Sequence, residues 1–112
     1  MKISELAGGL GYELIQDSFD DRDITDGYTS DLLSDVMANA PDGAVLITIQ
    51  AHKNSVAVAS MTNLAALVIC NSRPLPEEMI LAAQKERIAV LTTDKNQFQV
   101  SGEIYTALKS SE

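Results

Sequence analysis

Ala44-Val45-Leu46-Ile47-Thr48-Ile49 is a continuous apolar run rich in β-branched residues. Two more runs of the same kind follow, Leu64-Ala65-Ala66-Leu67-Val68-Ile69-Cys70 and Ile88-Ala89-Val90-Leu91-Thr92. A strand covered on one face alternates apolar with polar residues. These runs do not alternate, so each reads as a strand buried on both faces. The segments around them carry helix signals. Asn54 precedes a small-residue stretch through Val58 to Met61 and is expected to cap that helix. Pro76 opens another, running to about Arg87. Its missing N–H is no loss at a helix start, and Glu77 and Glu78 face the positive end of the dipole. A last helix is expected from Asn96 to about Leu108, interrupted or bent near Gly102. Such strand–helix alternation needs right-handed crossovers. The expected fold class is therefore α/β, a mainly parallel β-sheet flanked by helices in one three-layer domain spanning residues 1–112.

The first forty residues are less regular. Ser4 to Ala7 reads as a short helix closed by Gly8-Gly9-Leu10-Gly11. A nucleotide fingerprint wants a strand before its glycines and a helix after them. The order here is reversed, so helix termination is the reading. Tyr12-Glu13-Leu14-Ile15 is strand-like, and Ile24 to Tyr28 predicts a second short strand. Between them Asp17, Asp20, Asp21 and Asp23, with Asp26 beyond, suggest calcium. The twelfth position from Asp21 is Leu32, however, where the calcium loop needs a bidentate Glu. A solvated connection is expected instead. Thr29 or Ser30 is expected to cap a helix with Asp31 in its first turn. Leu32, Leu33, Val36, Met37 and Ala40 recur at the spacing of one buried face. Pro41-Asp42-Gly43 ends it.

Composition narrows the function classes. At 112 residues with 46% apolar content and no Trp, one aliphatic core is possible and two are not. Sixteen acidic residues against eight basic give a formal charge of -8. Such a surface repels phosphate backbones and anionic lipid heads, which argues against nucleic-acid and membrane partners. Cys70 is the single cysteine, so no internal disulfide forms and zinc spacings are missing. At the end of an apolar run it reads as a buried, inert thiol. No signal-peptide or spanning segment is read, and a cytoplasmic protein is expected.

In open parallel sheets ligands bind beyond the carboxyl ends of the strands. That rule selects Gln50, His52, Lys53 and Asn54 after the first buried strand, Asn71 and Arg73 after the second, and Thr93 and Asp94 after the third. Lys53 and Arg73 are two of only eight basic groups, and both fall at this edge. With free helix N–H groups they suit a small anionic ligand or nucleotide. His52, Asn54, Asn71 and Asp94 are expected to face one cleft, where a protonated His52 would tighten an anion. A Ser72, His52, Asp94 trio can be written for a hydrolase or transferase, but no nucleophile-elbow pattern accompanies it. No catalytic residue, cofactor or metal site is expected.

From Gly27-Tyr28-Thr29-Ser30-Asp31-Leu32-Leu33-Ser34-Asp35-Val36-Met37 through Gln50-Ala51-His52-Lys53-Asn54, then Ala57-Val58-Ala59, the strand to Cys70 and Ile88 to Tyr105, the chain resembles the DRTGG-domain family. The likeness covers roughly residues 12–108. That family is similar in turn to the N-terminal domain of HPr kinase/phosphorylase, and its members occur beside CBS domains in regulated pyrophosphatases. The motif itself is degenerate here: His52-Lys53-Asn54 stands where it has Asp-Arg, and Asn71-Ser72 where it has Gly-Gly. The resemblance implies a regulatory, homodimer-forming domain that binds a small ligand, a partner protein or both. It implies no kinase, because the chain has no Gly-x-x-x-x-Gly-Lys-Ser/Thr loop to hold ATP phosphates.

Overall fold

The three apolar runs form the middle of a five-stranded sheet in the computed structural model, which describes residues 1–110. The strands are β1 (Glu13–Leu14), β2 (Asp26–Thr29), β3 (Ala44–Thr48), β4 (Ala66–Ile69) and β5 (Ala89–Thr92), in the order β1-β5-β4-β3-β2. Neighbours from β2 to β5 are parallel, and β1 runs antiparallel to β5 with Glu13 opposite Thr92. Every residue of β3 and β4 is buried, as their unbroken apolar runs require. The helices are α1 (Ile3–Gly8), α2 (Leu33–Asn39), α3 (Lys53–Met61), α4 (Glu77–Glu86) and α5 (Gln97–Ser110).

Strand order decides which face each helix covers. From β2 to β5 each strand is laid beside the last, so the three crossovers advance in one direction. Their common handedness sends α2, α3 and α4 to the same face. Val36, Val56, Ala59, Met79 and Ala83 from those helices meet Leu46, Leu67 and Val90 of the sheet there. The opposite face is left to the helices outside the crossovers. Ile3 and Leu6 of α1 and Val100 and Ile104 of α5 close it over Val45, Val68 and Leu91. The result is a three-layer α/β domain.

Several local expectations are corrected. Neither Thr29 nor Ser30 caps α2, which starts two residues later with Leu32 at its cap position. Thr29 ends β2, and Asp31 lies before the helix, bonded to β3 instead. The later start rotates the buried face: Leu33, Val36 and Ala40 pack on the core, while Leu32 and Met37 are exposed. The cap of α3 is His52 rather than Asn54; its Nδ1 accepts from the Asn54 N–H at 3.0 Å. Gly102 neither interrupts nor ends α5, which is helical throughout Gln97–Ser110. The second short strand is Asp26–Thr29, with Ile24 before it buried in the core.

The acidic stretch ties α1 down. Asp21 accepts from the Ser4 N–H at 2.9 Å and the Ser4 hydroxyl at 2.7 Å, and Asp23 lies 3.8 Å from Lys2 Nζ. At the β2 edge, the Ser30 N–H donates inward to Ile47 O, so the alternation turns Gly27 outward. The outward Gly27 N–H donates to Asp26 Oδ1 at 2.8 Å, so one donor of that edge is already taken.

Gly43 has φ +77°, and a Cβ there would stand 2.6 Å from Thr25 Oγ1. Gly43→Ala is expected to destabilise the fold by more than about 1 kcal/mol in urea melts. An unchanged midpoint would show that this turn is not as constrained as its geometry.

Candidate functional site

Consecutive crossovers on one face leave no crevice between the loops that follow β2, β3 and β4. The winding changes only after β5. The chain leaving β4 goes to α4 on one face, and the chain leaving β5 goes to α5 on the other. Loops that diverge from adjacent parallel strands open a crevice at their carboxyl ends, where ligands of such sheets bind. A polar cleft of about 430 Å3 lies at that point, lined by Gly11, Glu13, Ser72, Arg73, Thr92, Thr93 and Asp94.

The local backbone explains the shape. Asn71 and Ser72 are both left-handed, with φ of 63° and 51°. Two successive non-glycine residues in that region are uncommon and cost energy. Here they are held by the Asn71 N–H to Lys95 O and the Ser72 N–H to Thr93 O, both at 2.9 Å. Glycine is the residue for which this conformation is cheapest, and neither position has it. The other wall comes from β1, whose antiparallel run brings Gly11 and Glu13 to the carboxyl ends of the parallel strands. Gly11 has φ +82°.

The cleft gathers three of the candidate residues, Arg73, Thr93 and Asp94, with Ser72 beside them. Asn71 forms the turn behind it. Gln50, His52, Lys53 and Asn54 do not line it and follow β3, two strands from β5. Gln50 Nε2 donates to Asp31 O at 3.0 Å, and Lys53 Nζ lies 3.7 Å from Glu78, both side chains exposed. With its Nδ1 spent on the α3 cap, His52 does not join Ser72 and Asp94 in the cleft. Charge in the cleft is mixed, one guanidinium against the Glu13 and Asp94 carboxylates.

Two further groups shape this edge, and sequence reading missed both. Asp31 Oδ1 accepts from the Thr48 hydroxyl, the Ile49 N–H and Gln97 Nε2, at 2.9, 3.0 and 2.9 Å. One carboxylate oxygen thus joins β3 to the start of α5. Behind the cleft, Glu103 of α5 accepts from the Tyr12 hydroxyl and from Lys95 Nζ, each at 2.7 Å. The Lys95 and Tyr12 bonds hold the Glu103 carboxyl below the usual range. Burial first, then the bond to Glu103, holds the Tyr12 hydroxyl far above its usual value. Nothing in the periodicity around residues 12, 31, 97 or 103 marks these long-range partners; the only signal was that Gly8 to Gly11 held more glycine than a helix stop needs.

The fold has a solved counterpart. The chain is similar to a crystal structure of the CBS and DRTGG domains of the regulatory region of Clostridium perfringens pyrophosphatase, complexed with the activator diadenosine tetraphosphate. The TM-score is 0.69 at 16% identity, over 89% of this chain and 44% of that one, and the likeness shows the fold. This chain thus spans less than half of the matched structure's length. No family model and no curated protein matches it. Among the described residues no helix is long and apolar enough to cross a membrane.

Two outcomes follow from Glu103 and Cys70. Because its folded pKa is depressed, Glu103 contributes stability above the unfolded carboxyl value, and that contribution is lost as pH falls through the folded one. Glu103→Gln is therefore expected to be less stable than the parent at pH 7, by about 1 kcal/mol or less for a pair this exposed. The gap should close in acid melts below about pH 4. Cys70 is fully buried, and burial, then the Asp31 carboxylate, pushes its thiol up to about 11. Thiol labelling should track unfolding; fast labelling of folded protein would contradict the packing.

Proposed function

We propose that residues 1–112 act as one DRTGG-like, non-catalytic regulatory domain that binds a nucleotide at the cleft between the β4 and β5 ends and works as a homodimer. The observation that carries this reading is the cleft itself: it sits at the one divergence of the winding, framed by two left-handed residues where the resembling family has glycines. Strain of that kind concentrates at ligand sites.

Mixed charge refines the ligand class. A bare anion gains from Arg73 but meets Glu13 and Asp94. A nucleotide offers phosphate to Arg73 and hydroxyl or amino donors to the carboxylates, as ribose does in dinucleotide sites. Neighbouring strands are about 4.8 Å apart, so an extended dinucleotide reaching from β5 to β3 spans only about 10 Å. Gln50, His52, Lys53 and Asn54 are the residues it would meet there, which fits the activator bound by the structurally similar regulatory region. The cytoplasm supplies such ligands.

A thermal-shift series with AMP, ATP, diadenosine tetraphosphate and inorganic phosphate tests the reading. A ligand at ~100 times its Kd adds about 2.7 kcal/mol, a shift of several degrees. Nucleotides should raise the Tm and inorganic phosphate should not. Arg73→Ala should weaken every binding nucleotide at least ~5-fold, a modest figure for a lost charged hydrogen bond. Lys53→Ala should weaken the dinucleotide alone. No shift with any nucleotide, or shifts indifferent to Arg73→Ala, would overturn the cleft as the site.

A second reading, a protein-interaction subunit without a small ligand, is favoured by a different surface. An apolar hollow of about 980 Å3 lies along α5. Absence of nucleotide binding with intact self-association would select that reading.

A further inference from the structure

The outer face of α5 carries Phe98, Gly102 and Tyr105 at the spacing i, i+4, i+7, while Val100 and Ile104 point into the core. Phe98 is 87% exposed, the most exposed large apolar side chain among the described residues, and Tyr105 is 65% exposed. The hollow beside them is bounded by Leu10, Gly102 and Thr106. Gly102 has no reason within the monomer. It sits mid-helix, where glycine is among the least favourable residues. Its φ is not positive, and a Cβ there would meet nothing within 4 Å. A glycine on an open helix face fits the close approach of another backbone.

The geometry points to a second copy of this chain as the occupant: two α5 helices cross antiparallel at Gly102, and Phe98 of each packs beside Tyr105 of the other. Position 98 lies one turn before Gly102 and 105 lies about one turn after it. A two-fold axis near Gly102 therefore pairs the two aromatic residues twice, as an isologous interface demands. Charge selects the same face. In a chain of net charge -8, two copies repel over most of their surface. Gln97–Ser110 holds a single acidic residue, Glu103, which is paired with Lys95, and the flanking carboxylate beside Tyr105 is Asp26. A 14-residue helix is roughly 21 Å long and gives a contact at the small end of specific interfaces, which suits a weak, reversible dimer.

This inference rests on the homodimer reading and supplies its interface. Sedimentation velocity on the full chain from about 1 μM to 1 mM should show reversible dimerisation, with the dissociation constant inside that span. Phe98→Glu and Gly102→Leu should each weaken it at least ~10-fold. Gly102→Leu should leave the melting temperature at low concentration unchanged or higher, since leucine is the better helix former. In a Cys70→Ala background, mixing Phe98→Cys and Tyr105→Cys proteins under oxidation should give mainly the mixed disulfide. A monomer at every concentration would overturn the homodimer reading and this interface together. A dimer indifferent to both substitutions, or a cross-link favouring like with like, would overturn the interface and leave the homodimer standing.

Discussion

Everything in this fold descends from the handedness of the β-crossover. Four parallel strands laid down in order, each with a right-handed return, place three helices on one face and none on the other. The uncovered face would expose Val45, Val68 and Leu91, so the chain must cover it from outside the crossovers. α1 and α5 do so, and each is tied by polar contacts as well as by packing. Asp21 holds α1 through Ser4, and Asp31 holds the start of α5 through Gln97.

The same constraint explains how much could be read in the sequence. β3, β4, β5 and α4 follow from local signals, because an unbroken apolar run and a Pro-Glu-Glu start are properties of adjacent residues. The failures lie where a distant partner outbid a local preference. Asp31 suits a helix N-terminus, yet its oxygen takes three donors from β3 and α5. The Asn54 miss is local instead: Asn is the better capping residue by type, but the chain turns two residues earlier at His52, whose Nδ1 accepts from the Asn54 N–H. Gly102 suggests a break, and packing of Val100 and Ile104 on either side keeps the helix whole.

The candidate edge was half legible for a related reason. The carboxyl-end rule finds every loop that follows a parallel strand, but it cannot rank them without knowing which helix goes to which face. Divergence occurs only between β4 and β5, so Arg73, Thr93 and Asp94 share a cleft and Gln50 to Asn54 stand apart from it. Gly11 and Glu13 escaped notice because they join the site through β1, a two-residue strand antiparallel to the rest.

α5 is the element through which the two surfaces meet. Its outer stripe borders the apolar hollow, and Glu103, which lines that hollow, is bonded to Lys95 one residue beyond Asp94 in the cleft. The turn carrying Thr93 to Lys95 also holds the strained Asn71-Ser72 pair through two backbone bonds. If the cleft binds a ligand as proposed, a shift of this turn would act first on the Lys95–Glu103 bond, and through it on α5. Coupling of this kind is reciprocal, so a ligand that favours the paired form is itself bound more tightly by it. In the proposed dimer a weak interface would suit that role, because a small differential affinity then moves the population by a large fraction, whereas a tight dimer would stay paired at every ligand concentration.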